Sequence, residues 1–218
     1  MDPTTLILIY LVAGLVGSRL PFVRVYLAHC HNLVSMVINV CLEGGWNNKI
    51  HLHPDGTGQT TGSLISPFKK ALISYTGYTV ASAAAIGLFY FVSGGHYHLV
   101  VYLFLVLSVL ALLLWIRNMF CVIWGLSLVA LLAFPLFLQH EMIFVHLSIF
   151  LAAILFTQSI ICAIHVCKQA FMSRSNPARK AALVQTKFIP AVILGLALFG
   201  QTLYAGYFFV QNFIGLPF

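Results

Sequence analysis

The sequence predicts an all-α polytopic membrane protein with about six or seven membrane helices and a short β-hairpin after the second. Composition points there first. The chain is 61% hydrophobic and 7% charged, with a mean hydropathy of +1.00, whereas a soluble domain carries about 25% charged residues. The second observation is the recurrence of apolar runs close to the ~20 residues that span a hydrocarbon core. The third is that the polar and basic residues collect between those runs. Together they describe a single membrane domain over 1–218, with a hairpin insertion at about 44–66 and a polar connection at about 168–187.

Taken in order, Thr4–Gly17 is apolar but short, and lengthens only if its helix carries on towards Pro21. Leu27–Leu42 is also short and contains His and Asn. Ala71–Ser93 is a softer run rich in Ala and Gly, and Leu99–Ile116, Met119–Leu138, Met142–Cys167 and Ile189–Ile214 are strongly apolar. The reading is therefore five spans and two shorter intramembrane helices. The N-terminus has no basic stretch and no clear small-residue cleavage site, so the first segment is expected to be a retained helix. No internal repeat is visible.

Charge gives an orientation. If all seven segments cross, one side receives Lys49, Lys69, Lys70, Arg117, Lys168, Arg174, Arg179, Lys180 and Lys187, and the other only Arg19 and Arg24. The positive-inside bias then makes the 168–187 loop cytoplasmic in a bacterial-type plasma membrane. The net charge of +7 is thus mostly topology. Nucleic acid is not an expected partner, because the basic residues are not interleaved with a soluble aromatic platform. The cysteines at 30, 41, 121, 162 and 167 lie in or beside apolar runs without a C-x-x-C pair. Most are expected to be small buried hydrophobes rather than zinc or disulfide cysteines.

Two stretches break the apolar pattern. Within 43–67, Ile50-His51-Leu52-His53-Pro54-Asp55-Gly56-Thr57-Gly58 reads as a strand, a Pro-Asp-Gly turn and a returning strand. The other, 172–187, is a polar connection between the last two spans. Histidine is enriched, with His-x-His pairs at His29/His31, His51/His53 and His96/His98. On a strand, His51 and His53 would face the same way and could chelate together. On a helix, His29 and His31 would point ~200° apart and could not. Imidazoles suit Zn, Cu, Ni or haem iron, which leaves a His-rich metal- or haem-handling membrane protein as one reading. The near absence of intramembrane acids weighs against it.

His31-Asn32-Leu33-Val34-Ser35 has the spacing of a zinc-protease helix without its chemistry. H-E-x-x-H puts two His one turn apart on one face to bind Zn²⁺, with the Glu as general base. Here the Glu position is Asn32 and the second His position is Ser35. Gly44-Gly45 follows, then Leu52-His53-Pro54-Asp55-Gly56-Thr57-Gly58-Gln59-Thr60, then Leu114-Trp115-Ile116-Arg117-Asn118-Met119-Phe120, and finally 182–191 with Gln185-Thr186-Lys187-Phe188-Ile189-Pro190. In this order they resemble the B-like branch of the site-2-protease-type membrane metallopeptidases. Members carry H-E-x-x-H, Gly-Gly, a hairpin like L-x-P-D-G-x-G-x-T, and a W-x-R-N-x-F junction. The resemblance covers roughly residues 26–195.

The departures carry as much information. The resemblance implies a third zinc ligand, an Asp just before the last segment, where this chain has Arg179-Lys180-Ala181. A protonated Lys180 repels Zn²⁺. Base, second His and Asp are all replaced, by Asn32, Ser35 and Lys180, which points to a pseudoprotease with no catalytic residue and no expected cofactor. The plainer reading of His31 is a helix-face histidine bonded to a carbonyl or water, with Asn32 and Ser35 as interhelical hydrogen-bonders. The family's mode of accepting extended substrate beside the hairpin needs no zinc. A membrane-protein partner is therefore expected in a groove between the polar helix 29–35 and the hairpin, with His51, His53, Pro54, Asp55, Gly56 and Gly58 on the hairpin side. The alternative is an active metalloprotease with zinc on a relocated set drawn from His29, His31, His51 and His53, although the missing Glu tells against it.

Overall fold

The computed structural model describes residues 3–44, 49–53, 58–61, 66–171 and 188–214. Lys180, Pro54, Asp55, Gly56 and Gly45 lie outside them. Among the described residues the order is α1 (Pro3–Gly17), α2 (Pro21–Leu42), β1 (Lys49–Leu52), β2 (Gly58–Thr61), α3 (Pro67–Ser93), α4 (Tyr97–Leu114), α5 (Met119–Leu138), α6 (Glu141–Phe171) and α7 (Phe188–Phe209), which runs into a π-helical turn at Val210–Ile214. Six of the helices are long and apolar enough to cross a membrane, and α1 is shorter. The protein is a multi-pass integral membrane protein.

Helix ends follow local chemistry. Pro21 at the first helical position starts α2 straight after the extended Leu20. Ser66 caps α3, its hydroxyl accepting from the Lys69 N–H at 3.3 Å. Asn118 caps α5 in the same way, accepting from the Phe120 N–H at 3.4 Å. Gln139 takes a left-handed conformation (φ 49°) to end α5 and turn the chain into α6.

One expectation is corrected and another is met. Helix α2 is not a short element beginning near Leu27 but a 22-residue helix beginning at Pro21. Arg24 had made that stretch look extramembrane, yet it sits exposed in the first turn, where its long stem lets the charge reach the interface. Helix α1 does not continue towards Pro21: it stops at Gly17, and the chain turns within three residues. The spans are thus α2 to α7, with α1 as the single shorter helix among those described.

The core is centred on α6, which is buried continuously from Leu151 to Ser159. Small residues set its close contacts. Gly14 of α1 lies against Thr157, and Gly195 of α7 lies against Ala170, each so near that an added Cβ would sit at 3.2 Å. Apolar side chains gain little by leaving lipid for protein, so close backbone approach and interhelical hydrogen bonds hold such bundles together. Helix α3 follows that rule on α7, where Tyr75 and Thr79 both donate to Gln201 Oε1, at 3.0 and 3.1 Å. The second half of α2 is buried on nearly all sides, and this places its polar residues inside the molecule.

Candidate functional site: a closed motif helix beside a tethered hairpin

His31, Ser35 and Asn39 recur every fourth residue and form one stripe along α2. That stripe faces α3. The His31 ring, 2% exposed, stacks on Tyr78 with centroids 6.1 Å apart and planes 16° apart. The Tyr78 hydroxyl is in hydrogen-bonding contact with the side chains of Ser74 and Cys162, so one tyrosine joins α2, α3 and α6. Ser35, also 2% exposed, donates its hydroxyl to the Asn32 carbonyl of its own helix at 3.2 Å. With its amide turned to suit its surroundings, Asn39 donates to the Ile73 carbonyl at 2.9 Å and the Ser35 carbonyl at 3.2 Å.

Gly77 makes this contact possible. A Cβ there would lie 2.7 Å from the Ser35 carbonyl oxygen and would collide with the Asn39 side chain. Helix α3 therefore reaches the backbone of α2 at the position where the zinc-protease pattern has its second histidine.

His29 points elsewhere. It is fully buried and meets Phe120 and Trp124 of α5 edge-on, with centroids 5.8 and 5.5 Å away. His29 and His31 thus serve different helices, as their two-residue spacing requires. His51 and His53 are partly exposed at the hairpin. Among the described residues no three His, Cys, Asp or Glu side chains gather as a metal-binding set. The relocated set of His29, His31, His51 and His53 is not assembled. His98 pairs instead with Glu141, Nε2 to Oε1 at 3.3 Å, on the exposed rim joining α4 to α6.

The metal implied by the resemblance can be tested against this geometry. Catalytic zinc takes three protein ligands and keeps a further position open for water. Beside His31 stand a neutral amide, a hydroxyl turned back on its own helix, and the face of a tyrosine ring. His31 Nε2 is buried without a hydrogen-bond partner among the described residues. One imidazole and no second ligand do not fit zinc at this helix.

The hairpin is built as the Pro-Asp-Gly signal predicts. β1 and β2 are antiparallel, with Lys49 opposite Thr61, Ile50 opposite Thr60, His51 opposite Gln59 and Leu52 opposite Gly58. Gly44, at φ +101°, ends α2 ahead of it in a conformation that suits glycine. The unanticipated feature is a tether. The Ile50 N–H donates to the Trp115 carbonyl at 3.0 Å, and Ile50 forms a parallel bridge with Ile116. Ile50 is fully buried and Ile116 is 3% exposed. The Trp-Ile-Arg-Asn junction is therefore more than a tight turn, because it pairs with the outer edge of β1. The N–H and C=O groups of alternate strand residues point to opposite edges, so those of Gly58 and Thr60 face away from β1. That edge of β2 has no strand partner among the described residues.

Of the 31/35/39 stripe, His31 and Ser35 were legible from the motif and Asn39 was not. Its occupants, Gly77 and Tyr78, carry no motif and emerge only from packing. Among the described residues, the polar stretch 29–35 contacts α3 through His31 and Ser35 and α5 through His29.

The comparisons agree with the motif order. The family model described as Peptidase M50B-like matches residues 7–207. Comparison with curated proteins and with solved structures gives no match. A match of that length, on a bundle carrying the hairpin and junction in family order, supports one conclusion: the chain belongs to the M50B-like, site-2-protease-type family of membrane peptidases.

Proposed function

We propose that this chain is a catalytically inactive member of its family that holds a membrane-protein partner by strand addition to the hairpin. The observation that carries this reading is the closed polar face of α2. The positions for the base and the second ligand hold Asn32 and Ser35, and Ser35 is buried where α3 packs on α2. The position for the third ligand is Lys180, whose ammonium opposes a divalent cation. The hairpin, by contrast, keeps what strand addition uses: a paired strand, a tethered back edge, and a second edge with no strand partner among the described residues.

Photo-crosslinking tests this directly. A benzophenone side chain at Gln59 is expected to trap an intact membrane protein in native membranes. Thr60→Pro removes an outward N–H while sparing the pairing with β1, and should reduce the adduct at least about tenfold, as expected when main-chain bonds supply the affinity. An adduct unchanged by Thr60→Pro, or a trapped partner recovered as cleaved fragments, overturns the reading.

The bilayer orientation belongs to the same proposal. The last turn of α6 carries Lys168 and the connection to α7 carries Arg174, Arg179, Lys180 and Lys187, which makes that end cytoplasmic by the positive-inside bias. Three spans separate it from the α3–α4 turn, so reporter fusions at Asn176 and Gly95 should give opposite sides. Equal readings would remove one of α4, α5 or α6 from the spans.

A further inference from the structure

We infer that the extended segment this hairpin holds is acidic, with carboxylates at alternate positions on the face turned away from the helices. This rests on the strand-addition reading and names the partner's chemistry. Ile50 of β1 and Ile116 of the α4–α5 junction stand side by side in their parallel bridge, and both are buried. Alternate strand residues point to opposite faces, so Lys49 and His51 take the outward face of β1. Lys49 is exposed and His51 partly so. Arg117, which follows Ile116 in the same register, is exposed next to them.

Among the described residues neither Lys49 nor Arg117 forms an ion pair. The carboxylate of Glu141 is taken by His98, where α6 begins, at the end of the bundle away from the hairpin. The positive-inside bias accounts for basic residues on the hairpin side, whereas the sheet decides where two of them point. A strand added to β2 would lie about 4.8 Å beyond it and about twice that from β1. Its outward side chains would flank positions 59 and 61, which the register sets opposite His51 and Lys49. A Glu there and the long Lys49 stem together cover that gap. A Gln in the same place leaves the cations unmatched, and a Lys repels them.

Crosslinking yield from a benzophenone at Gln59 decides this, with the full-length protein in neutral-lipid proteoliposomes. The probe is a single membrane span whose juxtamembrane stretch alternates Thr with Glu, Gln or Lys. At about 50 mM salt the Glu probe should give at least about five times the adduct of the Gln probe, and the Lys probe the least. At about 0.5 M the gap should close to within about twofold, as screening requires. Lys49→Gln with Arg117→Gln, both at exposed positions, should bring the Glu probe down to the Gln level. Thr60→Pro should lower all three. Equal yields from the Glu and Gln probes, or a preference that the double variant keeps, overturn the acidic inference; strand addition stands if those yields still fall with Thr60→Pro. Yields indifferent to Thr60→Pro overturn strand addition and this inference with it. Phosphatidylglycerol that co-purifies with the native chain and is lost from the double variant, with no preference between probes, gives the face to lipid headgroups and overturns the inference.

Discussion

The two places where this chain keeps its family's pattern have been treated differently. At the α2–α3 contact the sequence spacing survives and the chemistry does not. His31 stacks on Tyr78 and Asn39 reaches the Ile73 carbonyl, both across to α3, while Ser35 bonds back to its own helix. At the hairpin the backbone architecture survives, with β1 paired to β2 on one edge and to Ile116 on the other. The difference separates two tasks that an active protease performs together. Cleavage depends on a few side chains with exact protonation and ligation roles, and the proposed inactivity rests on their three replacements. Presenting an edge to an extended chain depends on main-chain hydrogen bonds, which tolerate side-chain change as long as the strands remain anchored.

Breaking each region in turn should show how unequal their demands are. The largest effect is expected from Gly77→Leu. The new side chain must displace backbone of α2, so the cost should reach or pass the ~3 kcal/mol at the upper end of ordinary overpacking. Thermal unfolding in detergent should show a large drop in midpoint or an aggregated protein. A wild-type midpoint would mean that α2 and α3 are not in contact at Gly77.

Next comes Ile50→Ala at the tether. It removes a fully buried side chain and should cost about 2 kcal/mol, the low end for such truncations because a two-stranded hairpin can partly collapse. Amide hydrogen exchange should speed up at 49–52 and at 115–116 while the helices keep their protection. Uniform acceleration across α2 to α7 would show that the hairpin is part of the global core and not a separately anchored element.

Asn39→Ala is the mildest. It loses one donated bond from α2 to α3, at the Ile73 carbonyl, and one within α2, at the Ser35 carbonyl, yet hydrogen bonds between membrane helices average about 0.6 kcal/mol. A small midpoint shift should accompany unchanged oligomeric state and unchanged zinc content. A loss as large as that of Gly77→Leu would make the Asn39 amide, and not the glycine contact, the main link.

How much of this was readable beforehand divides along the same line. Local chemistry is written in short windows. The Pro-Asp-Gly turn announced the hairpin, and the Arg-Asn step announced the break between α4 and α5. Element ends moved where a window gave mixed signals, as at α2, where Arg24 among apolar residues masked six further helical positions. Tertiary partners were not legible. The bridge between Ile50 and Ile116 is made by backbone, which carries no residue code, and the Tyr78 ring reaches His31 only because Gly77 permits the approach. Asn32 and Ser35 were read as interhelical hydrogen-bonders, whereas the part of Asn39 came only from the structure. Lys180, read as the replaced third ligand, lies outside the described residues.

The central claim is that the family's architecture is retained here without its catalysis. The most direct test is reconstitution of the unmodified protein in proteoliposomes with a single-span membrane substrate carrying helix-destabilising residues, comparing it with His31→Ala and supplying zinc to both. No cleavage by either protein, with the substrate recovered intact, is the predicted result. Cleavage within the substrate's span by the unmodified protein, abolished by His31→Ala, would contradict it.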